Sequence, residues 1–303
     1  MDGEGKLINW IKVAHPWAIP ASLSPALIGY SYVFYLYKTG EIAGVNWTLG
    51  LLAVLGALIF HLAGNLISEY HDYVSGVDVQ EKIGPERLIV KGLFKPKTVL
   101  YYGYLVLLAG ILLGIYLLLH TGLPLLVLGV IGAINAGLYY RFKYVALGDL
   151  IIFITFGMSI ALGVAYVMSE QLIWQTLLAV TPTGLLVVAI LHANNTRDMP
   201  QDKAAGIRTQ AIRLGLEGSQ VIYQTILLLA YMLVAMAVWL EVLAPLSFLT
   251  LLSFPLAMRN IRLMKKATPE DLGIIRFLDG DTAKLVLLFS LLLAAANFIA
   301  PFL

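Results

Sequence analysis

Residues 98–119 read TVLYYGYLVLLAGILLGIYLLL, a run of 22 residues without a charged side chain. An α-helix needs about 20 mainly apolar residues to cross the hydrocarbon core of a bilayer, whereas apolar runs of about 10–14 residues are typical of buried helices in soluble proteins. The stretch therefore predicts a helix that spans a membrane.

The rest of the chain has the same character. Of its 303 residues, 60% are hydrophobic and only 13% are charged, against about 25% charged residues in a typical soluble domain. We expect an all-α membrane protein that forms a single domain over residues 1–303. Cysteine is absent, which excludes disulfides, thiolate metal sites and cysteine nucleophiles. Nine transmembrane helices are predicted, at residues 18–37, 46–70, 98–119, 123–140, 146–168, 171–193, 219–240, 243–264 and 282–303.

The basic residues predict how these helices are oriented. Lys and Arg near the ends of membrane helices stay on the cytoplasmic side. If the N-terminus is cytoplasmic, 19 of the 20 Lys and Arg residues fall on that side, and only Lys38 falls outside. Most carboxylates lie in the same connections. We therefore predict a cytoplasmic N-terminus, a multi-pass location in the plasma membrane and chemistry at its cytoplasmic face, without a nucleic-acid partner.

A first acidic motif, residues 65–78, lies at the end of the second predicted helix. Asn65, Glu69 and Asp72 follow the spacing i, i+4, i+7, which places them on one face of a helix. Asp78 comes after Gly76, a residue that permits a sharp exit from the helix. The motif therefore brings an amide and three carboxylates to one membrane surface.

A second acidic motif, residues 194–209, lies at the end of the sixth predicted helix. Asn194, Asp198 and Asp202 again share a helical face, at i, i+4 and i+8. Pro200 falls between the two carboxylates and is expected to bend the helix there. This motif repeats the chemistry of the first one at the same predicted side of the membrane.

The two motifs also superpose at an offset of 130 residues, as a weak internal repeat that matches Ala63 with Ala193, Asn65 with Asn195, Asp72 with Asp202 and Gly76 with Gly206. Neither motif has histidine or cysteine at a ligand spacing. Carboxylate and amide oxygens are hard ligands that suit Mg²⁺, which is often shared between one or two carboxylates and the phosphates of a substrate. The repeat therefore predicts a magnesium and phosphate site.

Ordinary solvated charges beside helix ends are the alternative interpretation of any one of these acids. That alternative does not explain why Asn65 and Asn194 enter otherwise apolar helix ends, or why the same-face spacing occurs twice. Polar groups inside a membrane are costly and usually functional. Basic residues near the motifs are candidate ligands of a diphosphate, although the preference of basic residues for the cytoplasmic side also explains them. They are Arg87, Lys91, Arg141, Lys143, Arg197 and Arg208.

At these motifs the chain resembles the UbiA superfamily of intramembrane prenyltransferases, and within it the 1,4-dihydroxy-2-naphthoate polyprenyltransferases of menaquinone synthesis. The resemblance covers nearly the whole chain and is most specific in the second motif. The segments that carry it read HP at 15–16, ASLSP at 21–25, GPERL at 84–88, LGDL at 147–150, FG at 156–157, ANNTRD at 193–198 and AGIRT at 205–209.

The resemblance implies nine helices around a central cavity, in which the two motifs hold Mg²⁺ and an allylic polyprenyl diphosphate. It also implies transfer of the prenyl group to an aromatic acceptor, most specifically 1,4-dihydroxy-2-naphthoate, with loss of its carboxylate. The first candidates for Mg²⁺ ligands are Asp72, Asp198 and Asp202, and the second are Glu69 and Asp78. Asn65 and Asn194 either coordinate the metal or orient these carboxylates.

Two further residues have both a functional and a structural interpretation. Asp149 either has a functional role, in which it holds the acceptor or accepts a phenolic proton, or caps the helix that it begins. Tyr139, like other tyrosines beside the motifs, either shields a carbocation or belongs to an interfacial aromatic belt. For His61, His71 and His192 we expect structural hydrogen bonds.

The chain departs from the family pattern at several positions. His15 stands where relatives usually have Arg, and Ser68-Glu69 stands where they usually have Asn-Asp. The 139–143 loop lacks an expected proline, and Met158 replaces another. These departures concern the acceptor more than the diphosphate. Transfer to another acceptor, a terpene cyclase on the same fold and a transporter therefore remain alternatives, the last because weak repeats also occur in transporters.

Overall fold

The computed structural model describes residues 3–78 and 87–303, and it is helical throughout these ranges, with no β-strand in them. Of the segments that carry the family resemblance, Gly84 to Glu86 lie outside the described residues. The helices are α1 (Gly3–Lys12), α2 (Pro20–Lys38), α3 (Trp47–Val74), α4 (Pro96–Thr121), α5 (Pro124–Tyr144), α6 (Gly148–Ile154), α7 (Ile160–Ser169), α8 (Gln175–Arg197), α9 (Met199–Ala204), α10 (Gln210–Trp239), α11 (Phe254–Lys266) and α12 (Leu278–Ile299).

Seven helical stretches within the described ranges are long and apolar enough to cross a membrane. The predicted helices at 18–37 and 243–264 are not among them. Helix α2 occupies the first of these positions, but its serines at 22, 24 and 31 face the protein interior and lower its apolar character. The second position is divided between a 3₁₀ stretch, Pro245–Ser253, and the short basic helix α11. The number nine and the orientation therefore stay predictions.

The main apolar core joins α2, α7, α8, α10 and α12. Tyr32, Leu186, Leu227 and Phe289 are fully buried in it. Helices α4 and α5 differ, because most of their large side chains are exposed, including Leu105, Leu119 and Val127. Rows of exposed leucine and valine on a helix of membrane length are suited to contact with lipid tails. The helices of the main core are therefore tightly packed by their neighbours, whereas α4 and α5 leave much of their apolar surface uncovered.

A π-helical turn, Thr155–Ser159, connects α6 to α7. Gly157 in this turn lies against Gly184 of α8, and a Cβ atom on Gly184 would collide with the backbone of Gly157. Single π-helical turns inside longer helices occur frequently at functional sites. Here the turn directs Thr155, Phe156 and Ser159 toward a central cavity.

Both acidic motifs end in the same kind of turn. The N–H of Val77 donates to the carbonyl of Asp72, and the N–H of Ile207 donates to the carbonyl of Asp202, each at 2.9 Å. The glycines in these turns have φ values of 72° at Gly76 and 73° at Gly206. A glycine in the left-handed region with this hydrogen bond is a Schellman helix end. The internal repeat therefore corresponds to a repeated piece of backbone.

Candidate active site

A cavity of about 530 Å³ lies between α3, α4, α5, the π-helical turn and α8. The residues that line the cavity change from apolar to polar along its length. Glycine, alanine, leucine and valine form most of the lining from α4 and α5, whereas charged and amide side chains gather at the end where α3 and α8 finish. The polar end is built from Asn65, Glu69, Asp72, Arg87, Lys143, Asn194, Arg197 and Asp279.

Glu69 of the first motif contacts an imidazole and a guanidinium group. Its carboxylate oxygen lies 2.9 Å from His15 Nε2 and 3.1 Å from Arg87 Nη1. Arg87 also approaches Asp78, with Nε 3.4 Å from the carboxylate oxygen. The connection after α1, the end of α3 and the loop before α4 therefore meet at one buried cluster. His15 is 54 residues before Glu69 in the sequence, so the folded chain alone brings these two side chains together.

Asp72 is held from the opposite side of the cavity by α5. Lys143 Nζ lies 3.2 Å from one carboxylate oxygen, and the Tyr144 hydroxyl donates to the other at 2.8 Å. The hydroxyl groups of Tyr144 and Ser75 are also 2.8 Å apart. Asp72 still lines the cavity, so an oxygen ligand sits beside an ammonium group at its polar end.

The second motif is organised by Arg197, which is only 1% exposed. Its guanidinium donates to Asp198 at 2.7 Å, to Asn194 at 2.6 Å and to Asp279 at 2.8 Å. A further bond of 3.1 Å reaches the carbonyl of Arg276. Helix α8 is thereby fixed to the start of α12. Asp279 was not among the residues selected from the sequence.

The charges of both motifs act on shared cations. The ammonium group of Lys143 interacts electrostatically with the carboxylates of Asp72 and Asp202, which belong to different motifs. Burial alone lowers the pKa of the Arg87 guanidinium, but Asp78 and Glu69, followed by Asp72 and Asp198, outweigh burial and raise that pKa above its ordinary value. Arg87 therefore stays charged at all relevant pH values.

Asp149 has a structural partner away from the cavity wall. Its carboxylate lies 2.9 Å from Nδ1 of His192, whose Nε2 donates to the carbonyl of Ser219 at 3.2 Å. The capping interpretation of Asp149 is wrong, because its side chain makes no hydrogen bond to the start of α6. The expected structural role of His192 is confirmed. Asp149 does not line the cavity, so the structure places no direct contact to an acceptor there.

The remaining candidates divide into two groups. Tyr139 lines the cavity, and its buried hydroxyl has no hydrogen-bond partner among residues 3–78 and 87–303. The side chains of Lys91, Arg141 and Arg208 are exposed and do not line the cavity. Arg141 instead donates to the hydroxyl of Tyr140 at 3.2 Å. The positive-inside tendency is a sufficient explanation of these three basic residues.

The oxygen donors fit a magnesium ion that is completed by a phosphate ligand. In the part of the chain that the structure describes, no three His, Cys, Asp or Glu side chains lie close enough to hold a metal ion alone. Magnesium usually keeps several waters and takes one or two carboxylates together with substrate phosphates. Asp72 and Asn194 lie on the cavity wall, and the buried Asp198 and Asp202 lie behind it. Such a set suits a shared ion.

Comparison with known proteins decides the family. Residues 22–278 match the UbiA prenyltransferase family. The chain belongs to this family. It is therefore an enzyme, a prenyltransferase.

UbiA prenyltransferase domain-containing protein 1 of Danio rerio is 35% identical over 239 residues, which cover 77% of this chain and 69% of that protein. The protein of the same name from Ailuropoda melanoleuca is 31% identical over 304 residues, covering 98% of this chain and 85% of that one. These names specify no acceptor. Family membership is thus confirmed, and the naphthoate acceptor stays a prediction.

Solved structures share the fold of this UbiA enzyme at low sequence identity. The apo structure of a UbiA homolog from Aeropyrum pernix K1 matches with a TM-score of 0.67 and 18% identity, over 92% of this chain and 98% of that chain. A UbiA homolog from Archaeoglobus fulgidus bound to DMAPP and Mg²⁺ matches with a TM-score of 0.55 and 14% identity, over the same shares of the two chains.

Two of the departures from the family pattern turn out to contact each other. His15 and Glu69, each unusual at its position, form the 2.9 Å pair described above. No spacing rule connects positions 54 residues apart, so the sequence alone does not predict this pair.

Proposed function

We propose that this enzyme transfers a polyprenyl group from an allylic diphosphate to 1,4-dihydroxy-2-naphthoate, with loss of the carboxylate, as a step of menaquinone synthesis. The observation that carries the proposal is the cavity itself, which joins a cluster of carboxylates and cations to an apolar interior. A polyprenyl diphosphate has the same division between a charged head and a hydrocarbon tail. The UbiA homolog bound to DMAPP and Mg²⁺ supports this donor class.

The diphosphate fits the polar end. Arg87 and Lys143 both line it, and each is already charged beside a carboxylate. Arginine and lysine bind phosphate oxygens by charge-assisted hydrogen bonds. Asp72, Asp198 and Asp202 would hold Mg²⁺, which would supply positive charge to the departing diphosphate. The two motifs thus act on one leaving group.

The prenyl tail fits the apolar section between α4 and α5. Gly114, Gly129 and Gly132 line this section, and a Cβ atom built on any of them meets nothing within 4 Å. Backbone without side chains leaves room for a branched hydrocarbon chain. The exposed apolar surface of the same two helices is suited to contact with lipid, in which a polyprenyl substrate dissolves, and this supports the assignment of the tail to this section.

The reaction balances without an external redox partner. The allylic C–O bond breaks and its electron pair leaves with the diphosphate, which gives an allylic cation. A ring carbon of the acceptor attacks the cation and forms the new C–C bond. Loss of CO₂ from the attacked carbon leaves its bonding electrons in the ring and restores aromaticity. Preorganised positive charge at the leaving group is the main contribution of the protein.

The site is placed at the cytoplasmic face of the plasma membrane by this proposal. Its support is the charge asymmetry, since 19 of the 20 basic residues lie on one side of the predicted helices. The polar end of the cavity belongs to that side, because both acidic motifs terminate helices there. Water-soluble acceptor and released diphosphate then exchange with the cytoplasm.

Product analysis tests the proposal. Purified enzyme is incubated with Mg²⁺, geranylgeranyl diphosphate and 1,4-dihydroxy-2-naphthoate, and products are identified by mass spectrometry. We expect demethylmenaquinol and one CO₂ for each diphosphate released. A prenylated phenol of another class would change the acceptor, and a cyclised terpene formed without acceptor would change the reaction class. Absence of any diphosphate release would contradict the proposal as a whole.

A further inference from the structure

Helix α11 has two faces of opposite character. One face packs against α10 and α12 and is buried through Ala257, Asn260, Ile261 and Met264. The opposite side is exposed and carries four basic side chains, which we call the basic face: Arg259, Arg262, Lys265 and Lys266. Spacings of three and four residues keep these side chains on one side of the helix. Because α11 contains no acidic residue, its own sequence leaves this charge uncompensated.

Few carboxylates of neighbouring elements neutralise the basic face. Arg259 Nη2 lies 3.3 Å from a carboxylate oxygen of Asp281 on α12, and the other oxygen of that acid lies 2.8 Å from Lys284 Nζ. Within residues 3–78 and 87–303, the other three basic side chains have no ion pair. Uncompensated positive charge on a protein surface attracts anions. The basic face is therefore a candidate surface for an anionic partner.

The contact between α11 and α12 shows where the exposed surface changes from apolar to basic. Arg259 and Asp281 lie opposite each other. Seven residues from each, toward the other end of the fold, lie the exposed side chains of Leu252 and Leu288. On α12 the change occurs within one turn, because Lys284 and Leu288 share a face. The apolar surface therefore ends at the same level on both helices.

This level fits the boundary between lipid tails and headgroups. Exposed leucine is suited to the hydrocarbon core, whereas lysine and arginine near helix ends reach toward the membrane surface. The two headgroup layers together add about 10–15 Å to a hydrocarbon core of about 30 Å. The seven residues from Arg259 to Lys266 extend about 10 Å along a helix. The basic face is therefore long enough to cross one headgroup layer.

Two general tendencies of basic residues explain only part of the basic face. Cations in the last turn stabilise the C-terminus of a helix, and only Lys265 and Lys266 lie in that turn. The preference of basic residues for one side of a membrane accounts for their number. It does not require Arg262 and Arg259, one and two turns before the helix end, to share an exposed face that has no acid of its own.

We propose that the basic face of α11, together with Lys284 of α12, binds the headgroups of anionic phospholipids at the membrane surface. Arg259 and Lys284 lie at the level where exposed leucine ends, which is where lipid phosphates are found, and arginine binds phosphate oxygens by paired charge-assisted hydrogen bonds. Clusters of four or more basic residues on an amphipathic helix are typical of such binding.

The lipid surface lies at the same end of the fold as the two acidic motifs. Asp279, two residues before Asp281, accepts a hydrogen bond of 2.8 Å from Arg197 of the second motif. The start of α12 thus contacts the candidate active site on one side and the basic face on the other. The inference concerns the lipid surface alone and does not depend on the acceptor or on prenyl transfer.

Equilibrium lipid binding tests the surface. Enzyme in a nonionic detergent is titrated with radiolabelled dioleoylphosphatidylglycerol or dioleoylphosphatidylcholine, and binding is measured by scintillation proximity. We expect the wild type to bind the anionic lipid at least tenfold more tightly at low ionic strength, with a smaller preference as salt is raised. The preference should fall below about threefold when all four charges of the basic face are removed, by Arg259→Gln, Arg262→Gln, Lys265→Gln and Lys266→Gln.

A matched variant removes four positive charges elsewhere. It replaces exposed lysines outside the basic face, by Lys12→Gln, Lys95→Gln, Lys97→Gln and Lys203→Gln, and should keep the wild-type preference. Asp281→Asn has the opposite expected effect. Loss of this acid releases Arg259 and Lys284 from their shared ion pair, so the affinity for phosphatidylglycerol should rise about twofold or more. A gain of affinity also decides the case if the four-residue variant of the basic face does not fold.

Four results would overturn the proposal. They are a wild type without preference for phosphatidylglycerol, an equal loss of preference in the two four-residue variants, no gain of affinity in Asp281→Asn, and full displacement of the lipid by excess sn-glycerol 3-phosphate. The last result would assign the surface to soluble phosphates instead of lipid. Since no measurement involves turnover, failure of the proposed function would leave all of these results unchanged.

Discussion

The two acidic motifs have the same local backbone and different surroundings. Asp72 and Asp202 each begin a Schellman turn with a glycine four residues later. Asp72 then meets Lys143, a cation from another helix that also lines the cavity. The second motif instead contains Arg197, which binds acids from its own helix and from α12. Both cations line the polar end of the cavity, but Arg197 is 1% exposed and donates to four acceptors, whereas Lys143 is 8% exposed and donates to one carboxylate.

This difference indicates how a repeated motif takes two roles. The local sequence determines the turn and the direction of the carboxylates. The distant partner determines whether the cation is available to bind a ligand. We infer that the second motif mainly maintains the geometry of the site, whereas the first motif contributes more to binding the diphosphate leaving group. In the proposed function, both motifs supply carboxylates to one diphosphate.

Removal of Mg²⁺ should have the largest effect on prenyl transfer, because both motifs depend on the metal. With excess EDTA we expect no detectable prenyl transfer, and full recovery after Mg²⁺ is restored, because an uncompensated diphosphate is repelled by Asp72, Asp198 and Asp202. Radiolabelled product is the readout. Stability should change little, since Lys143 and Arg197 already pair with acids of the two motifs. Full activity in EDTA would refute the shared metal.

Loss of one carboxylate from each motif should have similar effects. Asp72→Asn and Asp202→Asn keep the side-chain shape, and each should lower kcat/KM by about a hundredfold or more, as expected for a main electrostatic stabiliser. Asp271→Asn, at an exposed acid of the last connection, is the control and should stay near wild type. Wild-type turnover in either motif variant would show that its motif does not act on the leaving group.

Substitution of Arg197 and substitution of Lys143 should lower the free energy of unfolding by different amounts. Arg197→Met leaves the buried Asp198 and the partly buried Asn194 and Asp279 without this donor, and should lower the free energy of unfolding by about 3 kcal/mol, in the range for breaking a buried pair. Lys143→Met should cost about 1 kcal/mol, because Tyr144 still donates to Asp72, but it should lower turnover about tenfold or more. Denaturant unfolding in detergent and turnover assays give both values. The reverse order would contradict the division of roles.

Substitution of the glycines in the two repeated turns should have the smallest effects on the free energy of unfolding, and these effects should be nearly equal. Gly76→Ala and Gly206→Ala place a Cβ atom at a positive φ, so each should lower the free energy of unfolding by about 1 kcal/mol. Neither new methyl group meets an atom within 4 Å, which leaves the backbone as the only cause. Gly137→Ala, in open space inside α5, should be neutral or slightly stabilising. Unequal costs at 76 and 206 would argue against a common turn.

The sequence predicted those parts of the site that depend on neighbours along the chain. Same-face spacing brought Asn65, Glu69 and Asp72 together on α3, and the shared glycine marked the turn of both motifs. Helical periodicity and glycine conformation are local properties, so they are readable without a structure. Apolar runs likewise located the seven helices that meet the criteria for spanning.

The sequence did not predict contacts between distant residues. The pairs His15 with Glu69, Lys143 with Asp72 and Arg197 with Asp279 join positions 54, 71 and 82 residues apart. Their geometry depends on how helices pack, which no spacing rule supplies.

A double-mutant cycle tests most directly whether the two motifs act as one unit. We would measure kcat/KM for Asp72→Asn, Asp202→Asn and the double variant, with labelled diphosphate release as a sensitive readout. Residues that stabilise the same leaving group are strongly non-additive. We predict that the double variant is within about tenfold of the poorer single variant. If the two effects multiply in full, the motifs act independently and the single shared site is contradicted.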